Sequence, residues 1–208
     1  THCSLREAIN AANAAAGHDA ITFSVTVPAT ITLTSALPNI SDNLTINGPG
    51  ADNLTISGDG AVPVFIVNSG VTFNLQNVTA AMGYSTTIGG AGLRNNGGTV
   101  HITNTIFSEH LVESGAGGGI YNTGGGTLNV ANSTFSSNWA DSGGGIYNAS
   151  GSTLTVTNST FASNLAVGNG GGIYNDGGAF TIANSTLYGN NANSGGGIYT
   201  GGGTLNII

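Results

Sequence analysis

Lysine is absent from this chain, and only two arginines, Arg6 and Arg94, stand against nine carboxylates. The net charge of −7 repels nucleic-acid phosphates and anionic headgroups, so neither nucleic acid nor membrane insertion is expected. Charged residues make up 5% of the chain, against about a quarter in ordinary soluble domains, so Asn, Ser and Thr must supply its polarity. A single cysteine rules out an intramolecular disulfide, and the usual packing of free thiols predicts a buried Cys3. No apolar run approaches the ~18 residues of a membrane helix. The first residues also lack the basic-then-apolar pattern of a leader, so an exported protein would already have lost its leader.

What the chain has in excess is glycine, 36 of 208 residues, and much of it is periodic. GGGIYN stands at 117–122, 143–148 and 170–175, GGGIYT at 195–200, and a looser copy, GAGLRN, at 90–95. The isoleucines Ile120, Ile146, Ile173 and Ile198 are 26, 27 and 25 residues apart, which sets a period near 26. A second motif keeps the same beat: TLNVANSTFSSN at 127–138, TLTVTNSTFASN at 153–164 and AFTIANSTLYGN at 179–190, after the looser TVHITNTIFSEH at 99–110. Apolar and polar residues alternate through these segments, the period of a strand with one buried face.

Each repeat therefore offers three short strands, around Ile-Tyr, Leu-x-Val and Thr-Phe, too small to bury anything alone but able to stack on the next repeat at about 4.8 Å. The solution is a parallel β-helix of roughly seven coils, a rod about 35 Å long at that spacing. Its inward ladders would be Val100, Leu128, Leu154, Phe180 and Leu205; Ile102, Val130, Val156, Ile182 and Ile207; and Phe107, Phe135, Phe161 and Leu187. Asn104, Asn132, Asn158 and Asn184 recur after the second strand, where stacked amides would bond along the axis as a structural ladder and tolerate the bent backbone of a corner. That ladder accounts for their spacing better than the N-x-S/T glycosylation pattern that several of them share.

The chain reads as one domain in three stretches. Residues 1–17 form an amphipathic capping helix: Ser4 and Glu7 have capping-box spacing, Leu5, Ala8, Ile9 and Ala12 make an apolar stripe, and Gly17 is placed to stop it. Residues 18–88 are irregular coils with alternating segments such as TITLTS and NLTING, and residues 89–208 are the regular repeats. After GGGTLNII no cap follows, so self-association or further coils would be the partner expected at that end.

Two resemblances can be placed on these residues. CSLREAINAAN followed by DAITF resembles the opening of bacterial CSLREA-domain surface proteins. GGGI paired with FSSN, FASN and LYGN is similar to the GGA[ILV]/FxxN repeats of polymorphic outer-membrane proteins, which are autotransporter adhesins; His110 in FSEH departs from that pattern. The resemblance implies a right-handed single-stranded parallel β-helix outside a bacterial cell, in adhesion or surface architecture, and it supplies no catalytic residue.

Candidate sites are few. Aligning FSEHLVE with FSSNWAD places Glu113 and Asp141 one rung apart, a pair able to share calcium, although two solvated acids are the simpler explanation. The glycine motif lacks the Lys-Ser/Thr of a phosphate loop. If Ile120 points inward, then Tyr121, Tyr147, Tyr174 and Tyr199 stack outside, with Arg94 ending the stripe. Rings stacked flat would show their edges to solvent, so packing competes there with a ligand surface. Ice binding would need Thr on the same outward positions in every coil, and His101, Asn129 and Ala131 interrupt them. The expectation is a non-enzymatic extracellular or cell-surface protein without a resident cofactor, adhesive or structural, whose partners are surface glycans or proteins of host or neighbouring cells. The alternative is a β-helix that binds or degrades polysaccharide.

Overall fold

The computed structural model describes residues 3–87 and 89–208, and over them every strand pairing is parallel. A helix, α1 (Leu5–Ala14), precedes seven turns of solenoid, seven being the number of strands in its most regular sheet. Between Ile120 and Gly145 one coil shows the design. Ile120–Thr123 lies on a tyrosine face, Thr127–Ala131 on a threonine face, Thr134–Ser136 on a phenylalanine face, and Trp139–Ala140 on a short fourth face. The tyrosine and threonine faces belong to one 12-stranded sheet because Ile173–Ala183 runs through both. The fourth face, a four-stranded sheet, is an addition to the three strands per repeat read from the sequence. Two residues are too short to display an alternating pattern.

The inward ladders occupy the expected register. Leu128 pairs with Val100 and Leu154, and Val130 with Ile102 and Val156, all at most 1% exposed. Phe107, Phe135 and Phe161 stack with centroids 5.1 and 4.8 Å apart and planes within 5°. A one-residue slip would turn each of these side chains out to water, so the alternation fixes the register. In the last rung Leu205 and Ile207 keep register but are exposed.

Besides the glycine turn after the tyrosine strand, each regular coil turns three corners on a residue with positive φ. In one coil these are Asn132 (51°), Ser137 (56°) and Gly143 (63°). Asn104, Asn132, Asn158 and Asn184 take the corner expected of them, but they do not form the continuous amide ladder expected with it. They are exposed, and they occupy the left-handed conformation that Asn tolerates best after Gly. Among the described residues only the Asn104 side chain of these four donates to an amide of another coil, Asn77 Oδ1 at 3.2 Å, and Asn77 Nδ2 in turn donates to Asn47 Oδ1 at 2.7 Å.

Two buried amide ladders lie elsewhere, the second ending on the half-buried Asn190. The asparagine of the glycine hexad forms one: Asn95 Nδ2 donates to Asn122 Oδ1, Asn122 to Asn148 and Asn148 to Asn175, each at 2.8 Å. The asparagine of FxxN forms the other: Asn138 Nδ2 donates to Asn164 Oδ1 at 2.8 Å, and Asn164 Nδ2 to Asn190 Oδ1 at 2.9 Å. Each oxygen in this second ladder also accepts the backbone N–H of the preceding rung, as Asn138 Oδ1 does from His110. Buried amides with every partner supplied rigidify a core, whereas a half-satisfied row would be costly.

The glycine hexad divides its labour. Gly143 and Gly170 need positive φ, whereas Gly144 and Gly145 need the absence of Cβ: an added methyl at Gly144 would lie 2.5 Å from Leu165 O and 2.6 Å from Gly171 O.

Helix α1 closes the first rung. Ser4 and Glu7 make the reciprocal capping box, and Leu5, Ile9 and Ala12 enter the core beside Leu33, Leu37 and Ile40. Arg6 clamps the helix to the coil by donating to Ala36 O at 2.6 Å and Ser35 O at 2.7 Å, while Asn13 donates to Asn39 O and accepts from Ser41 N. The helix ends at Ala14 with Ala15 extended; Gly17, at φ 126°, redirects the chain two residues later. Cys3 is exposed, contrary to expectation, because it precedes the N-cap and so lies off the apolar face of the helix.

Candidate functional site

The tyrosine face carries the outward row expected from the sequence. Arg94, Tyr121, Tyr147, Tyr174 and Tyr199 are consecutive Cα partners, all half-buried. Alternation produces the row: Leu93, Ile120, Ile146 and Ile173 fill the core, so the next residue of each strand must point out. On the far side of Arg94 the row continues with Ile66.

The rings do not stack flat. Tyr121 and Tyr147 are tilted by 42° with centroids 5.2 Å apart, Tyr147 and Tyr174 meet edge to face at 83° and 4.9 Å, and Tyr174 and Tyr199 at 72° and 5.1 Å. Tilted pairs are the electrostatically preferred arrangement and alternate ring faces with edges along the row. The reason lies at one end: Tyr147 donates its hydroxyl to Asp176 Oδ2 at 2.6 Å and Tyr174 to Asp176 Oδ1 at 3.3 Å, which rotates both rings. Burial first, and then the Asp176 carboxylate, push the Tyr147 phenol far above its usual range, and Tyr174 is raised for the same reasons. Both remain neutral hydrogen-bond donors at any physiological pH.

Two concavities flank the other end of the row. One, of about 270 Å³, is lined by Pro63, Ile66, Tyr84, Thr86, Thr87 and Arg94. The second, of about 340 Å³, lies among Arg94, Tyr121, Tyr147, Asp141 and Ser142. Thr87, Gly89 and Arg94 belong to both, so the arginine stands on the ridge between them. Its guanidinium lies 5.1 Å from the Tyr121 ring centroid, a cation–π contact, and its Nε donates to Asn96 Oδ1 at 2.6 Å.

Glu113 and Asp141 are not aligned as the sequence comparison suggested. The segment ESGAG at 113–117 is longer than its counterpart DSG at 141–143, and it shifts the pairing so that Asp141 N bonds Gly115 O while Glu113 N bonds Ser85 O. The Asp141 carboxylate accepts from Gly115 N at 2.9 Å, and the Glu113 carboxylate beside Tyr84 holds that phenol's pKa above its usual value. Among the described residues no group of three or more His, Cys, Asp and Glu side chains is placed to hold a metal ion.

Sequence reasoning missed two features of this flank. The fourth face exposes a row of Tyr84, Leu111, Trp139 and Leu165, hidden from the sequence because each strand is so short. His110, which breaks the FxxN pattern, is buried and heads the second amide ladder. Its ring contacts are Gly83 N, Ala80 O and Phe107.

No curated protein and no solved structure matches the chain. The family described as right-handed β-helix region matches residues 41–208, all but the capping helix and the first strands. The chain belongs to the right-handed β-helix family.

Proposed function

We propose that this β-helix is a non-catalytic adhesive rod, working outside the cell or at its surface, and that its tyrosine face makes the contact. The observation that carries this reading is the unbroken outward row from Arg94 to Tyr199, five consecutive rungs long and flanked by two clefts. Outward-facing aromatic and arginine side chains in a rigid array are the residue types that dominate binding energy at protein surfaces. Their rigidity here comes from paired strands and ring-to-ring contacts, which reduces the ordering cost of binding. A non-catalytic role is supported by the two carboxylates beside the row, since Asp141 is committed to Gly115 N and Asp176 to two tyrosine hydroxyls.

The test is retention of chain-coated beads on bacterial and animal cell surfaces. Replacing Tyr121 and Tyr199 together by serine should reduce retention about tenfold, as expected when anchor residues are lost. A control change on the threonine face, Thr155→Ser, should leave it intact. Equal retention of wild type and stripe variant would sink the adhesive reading, and new reducing ends released from a polysaccharide would favour a degradative β-helix instead.

A further inference from the structure

Within that reading, and resting on it, we infer that the clefts around Arg94 bind a carboxylate-bearing glycan. Arg94 is one of two cations in a chain of net charge −7, yet it forms no ion pair with a carboxylate among the described residues. Arg6, by contrast, is consumed by Ser35 and Ala36. Only Nε of Arg94 has a hydrogen-bond partner among the described residues, which leaves the terminal nitrogens for a ligand at the junction of the two clefts. A planar guanidinium held at one edge by Asn96 and on one face by Tyr121 presents its outer edge as a fork, the geometry that matches one carboxylate.

The surroundings favour a sugar over a peptide as carrier of that carboxylate. The hydroxyl-bearing residues Thr86 and Thr87 line the first cleft, and aromatic faces and edges alternate along the second. Hydroxyl groups and apolar C–H faces of a pyranose find complementary partners in those two linings. An extended peptide would ordinarily dock by adding a strand, and the strands of this face are already paired on both sides from Leu93–Asn96 to Ile173–Ala183. A neutral glycan would leave the Arg94 fork unsatisfied, and a lone arginine gives no cluster for a polyphosphate.

The experiment is calorimetric titration of the whole chain with a galacturonate oligomer and with the same oligomer after reduction of its carboxyl groups. The wild type should bind the acidic oligomer about tenfold more tightly or better, the scale expected for a charge-assisted hydrogen bond. Arg94→Gln, with its fold checked by circular dichroism, should lose that preference, and Arg94→Lys should recover only part of it. The wild-type comparison needs no variant. Equal affinity for the two oligomers, no saturable binding, or an unchanged preference in Arg94→Gln would overturn the inference; tighter, Arg94-dependent binding of hexaglutamate would reassign the clefts to acidic peptides. Loss of bead retention in the tyrosine variant without any preference for the acid would sink this inference alone. Preference for the acid without retention would sink the adhesive role alone.

Discussion

His110 occupies the place that Asn138, Asn164 and Asn190 hold in the coils after it, and its two ring nitrogens reproduce their bonds to a backbone N–H and a backbone C=O of the rung before, but not the amide-to-amide bond of the ladder. Nδ1 accepts from Gly83 N at 2.8 Å, so Nε2 carries the proton and donates to Ala80 O at 3.0 Å. No carboxylate touches the ring, and burial pushes its pKa down to about 3 against a slight opposing effect of the Ala80 bond. The unfolded chain takes up a proton below about pH 6.5 that the folded chain refuses, so stability should fall as pH drops, by up to about 1.4 kcal/mol per pH unit. His110→Asn should flatten denaturant midpoints between pH 7 and pH 5 while leaving the neutral-pH value near wild type, because the amide completes the ladder. The same slope in both proteins would show that the imidazole is not the group responsible. Residue by residue, the sequence displayed what fills the core but not which polar repeat is buried. Asn104 and Asn122 recur with equal regularity, and only the inward alternation of the hexad's strand, extended two places from Ile120 to Asn122, carries the signal that separates them.

At the scale of the element, the glycine turn limits how closely coils can stack. Gly144→Ala puts a methyl group against two backbone oxygens that cannot move without breaking strand pairing, Leu165 O and Gly171 O, and should cost about 3 kcal/mol or more in urea denaturation. Gly125→Ala meets nothing within 4 Å and carries only the strain of a φ of 75°, about 1 kcal/mol. Similar losses for the two would mean that conformational strain, and not the close approach of backbones, explains the conserved spelling within the hexads. Long alternating strands and the capping box were legible because side-chain period and cap chemistry are local. The fourth face and the offset of Glu113 from Asp141 were not, since both depend on how extra residues in one turn are absorbed by its neighbour.

At the scale of the whole molecule, each coil touches only the coil above and the coil below, so stability should vary along the axis. Amide exchange should be slowest through Ile120–Asn148, where both amide ladders and the phenylalanine stack run side by side. It should be fastest over 198–208, where Ile207 and Ile208 are 70% and 74% exposed. Uniform protection would mean that the rod opens as one unit. The spacing of the core residues adds something else. Seven residues separate Val100 from Phe107, Leu128 from Phe135, Leu154 from Phe161 and Phe180 from Leu187, without exception. From the phenylalanine position to the next isoleucine the interval varies, with 13 residues from Phe107 to Ile120 and 11 from Phe135 to Ile146. In the irregular coils the interval equivalent to the seven-residue one, from Leu44 to Ile56, is 12 residues, whereas in these regular coils most of the slack gathers on the flank that carries the clefts, with a little at the turn after the tyrosine strand. Segments there can be lengthened, shortened or exchanged without re-registering the interior, so one rigid spindle can carry many different recognition surfaces.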